Sequence, residues 1–210
     1  MAHNTLRLYL DAQFASPYAM SAFVALSEKG LSFEVTTVDL AVNENLAVNF
    51  ASKSLTRRVP TLLHGDFSLS ESSAIAEYIN ESCSGVALYP VERRSKARAR
   101  QVQAWLRSDL ISIRQERSTE VVFYGSKAKP LSSAACEAAE KLFSVAEALL
   151  PSESEYLCGQ WSIADVDLAL MLNRLVLHGD PVPERLAVYA NRQWQRSTVQ
   201  KWVNQERPPL

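Results

Sequence analysis

The sequence predicts two domains of different class, a small α/β domain with a mixed sheet over residues 1–85 and an all-α domain over residues 91–210. Short β-like runs alternate with helical patterns in the first part of the chain. Helical periodicity continues almost unbroken beyond Pro90, and Ser84-Gly85 to Tyr89-Pro90 reads as the linker between the two. With 210 residues, 47% of them hydrophobic, and only 6 Gly and 9 Pro, the chain has enough material for such cores. Collagen-like, low-complexity and wholly disordered architectures are excluded.

Leu6-Arg7-Leu8-Tyr9-Leu10 alternates apolar and other residues over a strand length. From Pro17 to Lys29, Met20, Phe23, Val24 and Ser27 fall at helical spacing, and Gly30 stands where a glycine commonly ends a helix. Phe33 to Val38 is rich in β-branched and aromatic residues, which completes a βαβ unit and implies a parallel pair of strands. The stretch Asn43 to Arg58 is polar and poorly periodic, so it reads as a connection. Pro60 to His64 and Asp66 to Leu69 flank Gly65 as a hairpin, and Ser70 to Ser82, with Ile75, Tyr78 and Ile79 on one face, forms a second helix over the sheet.

In the second half, Val102, Trp105, Leu106, Leu110 and Ile113 make the stripe of one long amphipathic helix, and Ala138, Leu142, Val145 and Leu149 repeat it up to Pro151. Trp161-Ser162-Ile163-Ala164-Asp165 is a capping signature, in which the Asp165 carboxylate reaches back to the Ser162 N–H. The helix it opens is apolar nearly all round and belongs at the centre of its domain. Helical stretches over 184–193 and 195–204 finish the chain.

Twenty-two Lys and Arg against 23 Asp and Glu leave a net charge of -1, so no global field draws the protein to nucleic acid or anionic lipid. Any charged ligand must be recognised locally. Cys83, Cys136 and Cys158 are odd in number and form no CxxC, which excludes a disulfide scaffold and points to a reducing compartment. His3, His64 and His178 make no metal-binding cluster, so no metal is expected. No apolar run reaches the ~18 residues of a membrane span, and the first residues lack a secretory apolar stretch. A cytoplasmic location is expected.

Three short segments could carry chemistry. Ser16-Pro17-Tyr18 follows the first strand directly; a Ser and Pro there serve as helix cap and first helical residue, and they also present a hydroxyl at the positive end of a helix where open α/β sheets bind ligands. Arg58-Val59-Pro60-Thr61 precedes a strand, and a cis Val59–Pro60 bond would offer the Val59 backbone to an extended peptide. Glu71-Ser72-Ser73 opens a helix, where Glu71 would hold an ammonium and Ser72 a carboxylate, the two ends of an α-amino-acid head group. Plain capping by Ser70, with Glu71 in the first turn, accounts for the same residues. The basic run from Arg93 to Arg100 reads as a solvated face, Trp105 and Trp161 as core, and Cys158 as a packed thiol.

Taken in order, Ser16-Pro-Tyr-Ala-Met, Glu28-Lys29-Gly30-Leu31, Val59-Pro60-Thr61-Leu62 and Leu69-Ser70-Glu71-Ser72-Ser73-Ala74-Ile75 closely resemble the N-terminal domain of cytosolic glutathione S-transferases of the serine type found in bacteria. Leu88-Tyr89-Pro90, the basic stretch leading to Trp105, and Ser162-Ile163-Ala164-Asp165 resemble the family's linker and helical domain. The resemblance spans roughly residues 5–205 and implies a thioredoxin-like glutathione-binding domain followed by a helical domain for the electrophile. It implies Ser16 as the catalytic hydroxyl, with Tyr18 a neighbouring rival, and Val59 as the partner of the cysteinyl backbone. Glu71 and Ser72 fall at the γ-glutamyl clamp, and Arg58 at the glycine end. It also implies a homodimer.

The segment from Asn49 to Arg57 lacks the family's usual Asn-Pro and Gly-Lys signature, and no Cys lies beside Ser16, which argues against cysteine-type chemistry. A free thiol with a pKa near ~8.5 is mostly protonated at neutral pH, and lowering it by about two units takes about 2.7 kcal/mol of preferential anion stabilisation. A hydroxyl at a helix N-terminus can contribute to that. The expected activity is glutathione transfer to small hydrophobic electrophiles, extending to hydroperoxide reduction in oxidative stress. The alternatives are a glutathione-dependent isomerase and a non-catalytic binding module.

Overall fold

The computed structural model describes residues 5–150 and 154–210, so His3 and the helix-stopping role of Pro151 lie outside the described residues. It divides into two compact units, the first made of residues up to Leu88 together with Lys201–Leu210, the second of Tyr89–Gln200. The segment 201–210, placed by sequence with the helical domain, groups with the first unit.

The first unit is a four-stranded mixed sheet in the order β2-β1-β3-β4. Strand β1 (Leu6–Asp11) pairs parallel with β2 (Phe33–Val38) and antiparallel with β3 (Thr61–His64), which turns through Gly65 into β4 (Phe67–Ser70). Helices α1 (Pro17–Glu28) and α3 (Ser72–Ser82) pack on one another and on the sheet. The alternation of β1 puts Leu6, Leu8 and Leu10 on one face and Tyr9 on the other. Tyr9 is nonetheless buried, because the connection contains a 3₁₀ turn (Glu44–Leu46) and a short helix, α2 (Val48–Ala51), whose Phe50 meets its ring edge-on at 5.6 Å. The polarity of 43–58 concealed these elements, since only Phe50 of α2 is buried. A central strand covered on both faces shows alternation in sequence and, Arg7 apart, burial along its whole length in space.

The second unit is all helical: α4 (Arg93–Ser108), α5 (Ile111–Glu116), α6 (Thr119–Tyr124), α7 (Ser133–Leu149), α8 (Ile163–Val176), α9 (Glu184–Trp194) and the start of α10 (Ser197–Val203). The single helix expected through Ile113 is broken, with Leu110 at φ 58 between α4 and α5. Helix α8 is buried along almost its whole circumference. Its start is fixed as the sequence indicates, the Ser162 N–H donating to Asp165 Oδ2 at 2.8 Å while the other carboxylate oxygen accepts from the Leu157 N–H and the Tyr189 hydroxyl, both at 2.8 Å. Burial pushes the Asp165 carboxyl up, against these bonds.

Candidate functional site

Ser16 ends the β1–α1 loop and caps α1, its backbone extended (φ -68, ψ 120) and Pro17 following as the first helical residue. Its Oγ accepts from the Ala19 N–H at 3.2 Å. A hydroxyl that accepts at the cap keeps its own proton for a ligand, and among the described residues none takes it. The Ser16 N–H is committed elsewhere: it and the Ala15 N–H donate to Asp11 Oδ2 at 3.0 and 2.7 Å. Asp11, at the end of β1, is only 3% exposed, and its Oδ1 has no hydrogen-bond partner. Burial pushes its carboxyl up, opposed by those two N–H bonds and by the charge of Arg207. Nothing in the sequence marks Asp11 as more than a strand end. Tyr18 is half-buried on α1, and Tyr9 lies inside its aromatic cluster.

The second segment is held by three buried hydroxyls. Thr61 Oγ1 donates to the Arg58 carbonyl at 2.8 Å, and Ser54 Oγ accepts from the Arg58 N–H at 3.2 Å. Ser54 Oγ and Thr61 Oγ1 each lie 3.1 Å from Ser70 Oγ. Both backbone groups of Arg58 are thereby gripped, while the Arg58 side chain is exposed. The Val59–Pro60 bond is cis. No protein hydrogen bond engages the Val59 N–H or C=O among the described residues.

The third segment differs from plain capping. Ser70 does not cap α3, because its hydroxyl belongs to the cluster with Ser54 and Thr61. The cap position falls to Glu71, at φ 73 and ψ 115, with no side-chain capping bond. Its carboxylate is exposed, and Ser72 behind it is buried at the first turn of α3. One hydroxyl cluster therefore fixes the two segments that contain Arg58, Val59, Glu71 and Ser72, and β1, whose end leads into the Ser16 loop, pairs with β3, the strand that follows Val59–Pro60. Parallel strand ends, a helix N-terminus and an exposed carboxylate suit an extended ligand carrying both an ammonium and an anion.

Elsewhere, Cys158 is half-buried, its Sγ donating to the Ser95 carbonyl at 3.5 Å, and burial raises its thiol pKa, the opposite of an activated nucleophile. Within the second unit a mostly apolar groove of about 200 Å³ is lined by Arg98, Gln101, Val102, Trp105, Val145 and Leu149. Among the described residues no three His, Cys, Asp or Glu side chains group to hold a metal, and no helix is long and apolar enough to cross a membrane.

Residues 7–81 match the family described as glutathione S-transferase, N-terminal domain, and residues 92–206 match glutathione S-transferase, C-terminal domain. The chain is 48% identical to a glutathione transferase homologue from Burkholderia GL BGR1, solved with bound glutathione; the match covers 95% of this chain and 96% of that one with a TM-score of 0.78. Glutathione S-transferase theta-1 of Mus musculus is 29% identical over 197 residues, 89% of this chain and 81% of the mouse protein. Glutathione S-transferase U28 of Arabidopsis thaliana is 40% identical over 88 residues, 41% of this chain, and the chain spans 38% of that relative's length.

Proposed function

The chain belongs to the glutathione S-transferase family, and from that premise we propose that it is a glutathione transferase that activates the thiol of glutathione through Ser16. The observation that carries this reading is the Ser16 hydroxyl, which accepts from the Ala19 N–H and so keeps its proton for a sulfur anion. The N-terminal end of α1 adds its positive dipole to the same point.

In this reading glutathione lies extended over the first unit. The γ-glutamyl ammonium meets the exposed Glu71 carboxylate, and its carboxylate meets Ser72 at the N-terminus of α3. The cysteinyl backbone pairs with Val59, whose N–H and C=O have no protein partner among the described residues. Arg58 takes the glycine carboxylate. The thiol proton leaves to solvent, and Ser16 stabilises the thiolate without itself attacking. The sulfur lone pair then forms an S–C bond to the electrophilic carbon of a small hydrophobic substrate, and the leaving group departs with the electrons of the bond it breaks. The reading also places the enzyme in the cytoplasm as a homodimer, with its unpaired Cys83, Cys136 and Cys158 in keeping with a reducing compartment.

Titrating the ultraviolet absorbance of bound thiolate tests the reading against that of a non-catalytic module. Wild-type protein should hold glutathione with a thiol pKa well below the ~8.5 of a free thiol. Ser16→Ala should lower turnover about tenfold or more and leave glutathione affinity within about threefold. An unchanged rate in Ser16→Ala would move the role to Tyr18.

A further inference from the structure

The loop from Asp11 to Ser16 adopts a conformation that its own residues do not favour. Phe14 sits at φ 47, in the left-handed region that bulky side chains avoid and that persists where the surroundings over-determine it. One anchor comes from within the loop, where the Asp11 carboxylate accepts the Ala15 and Ser16 N–H groups. The other comes from the opposite end of the sequence. The guanidinium of Arg207 places both Nε and Nη2 at 3.3 Å from the Phe14 carbonyl oxygen. The same group closes the end of α10, donating to the carbonyls of Val203 at 2.7 Å, Trp202 at 2.9 Å and Gln205 at 3.0 Å. Trp202, fully buried, sets its ring edge-on to Phe14 at 5.6 Å and against Phe23 of α1 at 5.4 Å. All these residues belong to the first unit.

We propose that Arg207 is a positioning residue for Ser16, clasping the β1–α1 loop so that the Ser16 hydroxyl is directed at the bound thiolate. The proposal rests on the role given to Ser16 above and adds a residue 193 positions from Phe14, the one it holds. The chemistry suits the task. A guanidinium has a fixed fork of donors and keeps its charge throughout the working pH range, so it can hold the last turn of α10 and the loop carbonyl in one plane. Its charge also opposes the upward push of burial on Asp11, the inner anchor of the same loop. If Arg207 releases Phe14, the loop loses the restraint on its Phe14 carbonyl, two residues before Ser16. A displacement of about 1 Å in a catalytic group is enough to cost up to ~100-fold in rate.

The experiment compares wild type with Arg207→Ala and Arg207→Lys. Two readings are taken: the pKa of the bound glutathione thiol from thiolate absorbance, and hydrogen exchange at the Ala15 and Ser16 amides without ligand. In Arg207→Ala the bound thiol pKa should rise by about one unit, a tenfold fall in the thiolate-to-thiol ratio. Glutathione affinity should stay within about threefold, and exchange at both amides should speed up about tenfold while the β1 and β3 amides stay protected. Arg207→Lys, with the charge but one donor point, should recover part of both effects. An unchanged thiol pKa with unchanged exchange overturns the proposal. So does a general loss of protection across the sheet, which would make Arg207 a plain stabiliser of the unit. Should Arg207→Ala fail to fold, Arg207→Gln is read by the same two measurements. If wild type itself binds glutathione with the pKa of a free thiol, the role of Ser16 falls, and the exchange measurement still judges the clasp on its own.

Discussion

Glu71 begins α3 without capping it, and its carboxylate stands exposed on a backbone turned into positive φ. A carboxylate released from capping contributes little to the helix, so its loss should be felt by a ligand and not by the fold. Glu71→Gln should weaken glutathione binding about tenfold or more by calorimetry, since a hydrogen bond to a charged group contributes about 1.5–3 kcal/mol. Its melting temperature should stay close to that of wild type. An unaltered affinity would remove the γ-glutamyl assignment. The reason Glu71 is placed this way is not local. Ser70 is a good capping residue, and a window of four residues favours it as the cap; Ser54 and Thr61 capture its hydroxyl from other segments. Ser16 is the opposite case. Its capping geometry depends only on residues up to Ala19, so the segment Ser16-Pro17 was legible where Asp11 and Arg207, its supports at longer range, were not.

At the scale of elements, periodicity identified the helices that bury a wide face and failed where one bends. The apolar stripe from Val102 to Ile113 continues across the break at Leu110, because α4 and α5 both turn that stripe inward: Val102, Leu106, Leu110 and Ile113 are all buried. What ends α4 is Asp109. Its carboxylate accepts from the Leu110 N–H at 2.7 Å and from Trp105 Nε1 at 2.9 Å, and it pairs with Lys141 on α7. The bond from Lys141, followed by those from Leu110 and Trp105, holds the Asp109 carboxyl at about 2, below its usual 3.8. A depressed carboxylate stabilises the fold fully above its unfolded value and loses that contribution as the pH falls through the folded value. The α4–α5 junction should therefore weaken between about pH 4 and pH 2. Asp109→Asn should flatten this part of the curve of melting temperature against pH; a curve identical to wild type would show that the pair carries no linkage.

For the molecule as a whole, a net charge of -1 offers no long-range attraction to an anionic tripeptide. Affinity must come from placed groups, and those of the proposed function all belong to the first unit: a helix end at Ser16, the backbone of Val59, and Glu71 with Ser72. That unit is discontinuous in sequence, and the pattern up to residue 85 gave no sign that Trp202 completes its core. Deleting residues 201–210 should cost the first unit about 3–5 kcal/mol, the usual loss on removing a large buried aromatic side chain. Exchange measured separately over the strands and over α8 should show the strands losing protection first; equal loss in both would contradict the division. The same discontinuity imposes an order on biosynthesis. The strands of the first unit emerge early, but the arginine that clasps the Ser16 loop and the tryptophan beneath it emerge only after residues 89–200 have been translated. At about 5–20 residues per second, the nascent chain carries an unfinished first unit for on the order of ten seconds. A nascent chain thus has every strand of the glutathione domain before it has the arginine and the tryptophan on which the proposed placement of Ser16 relies.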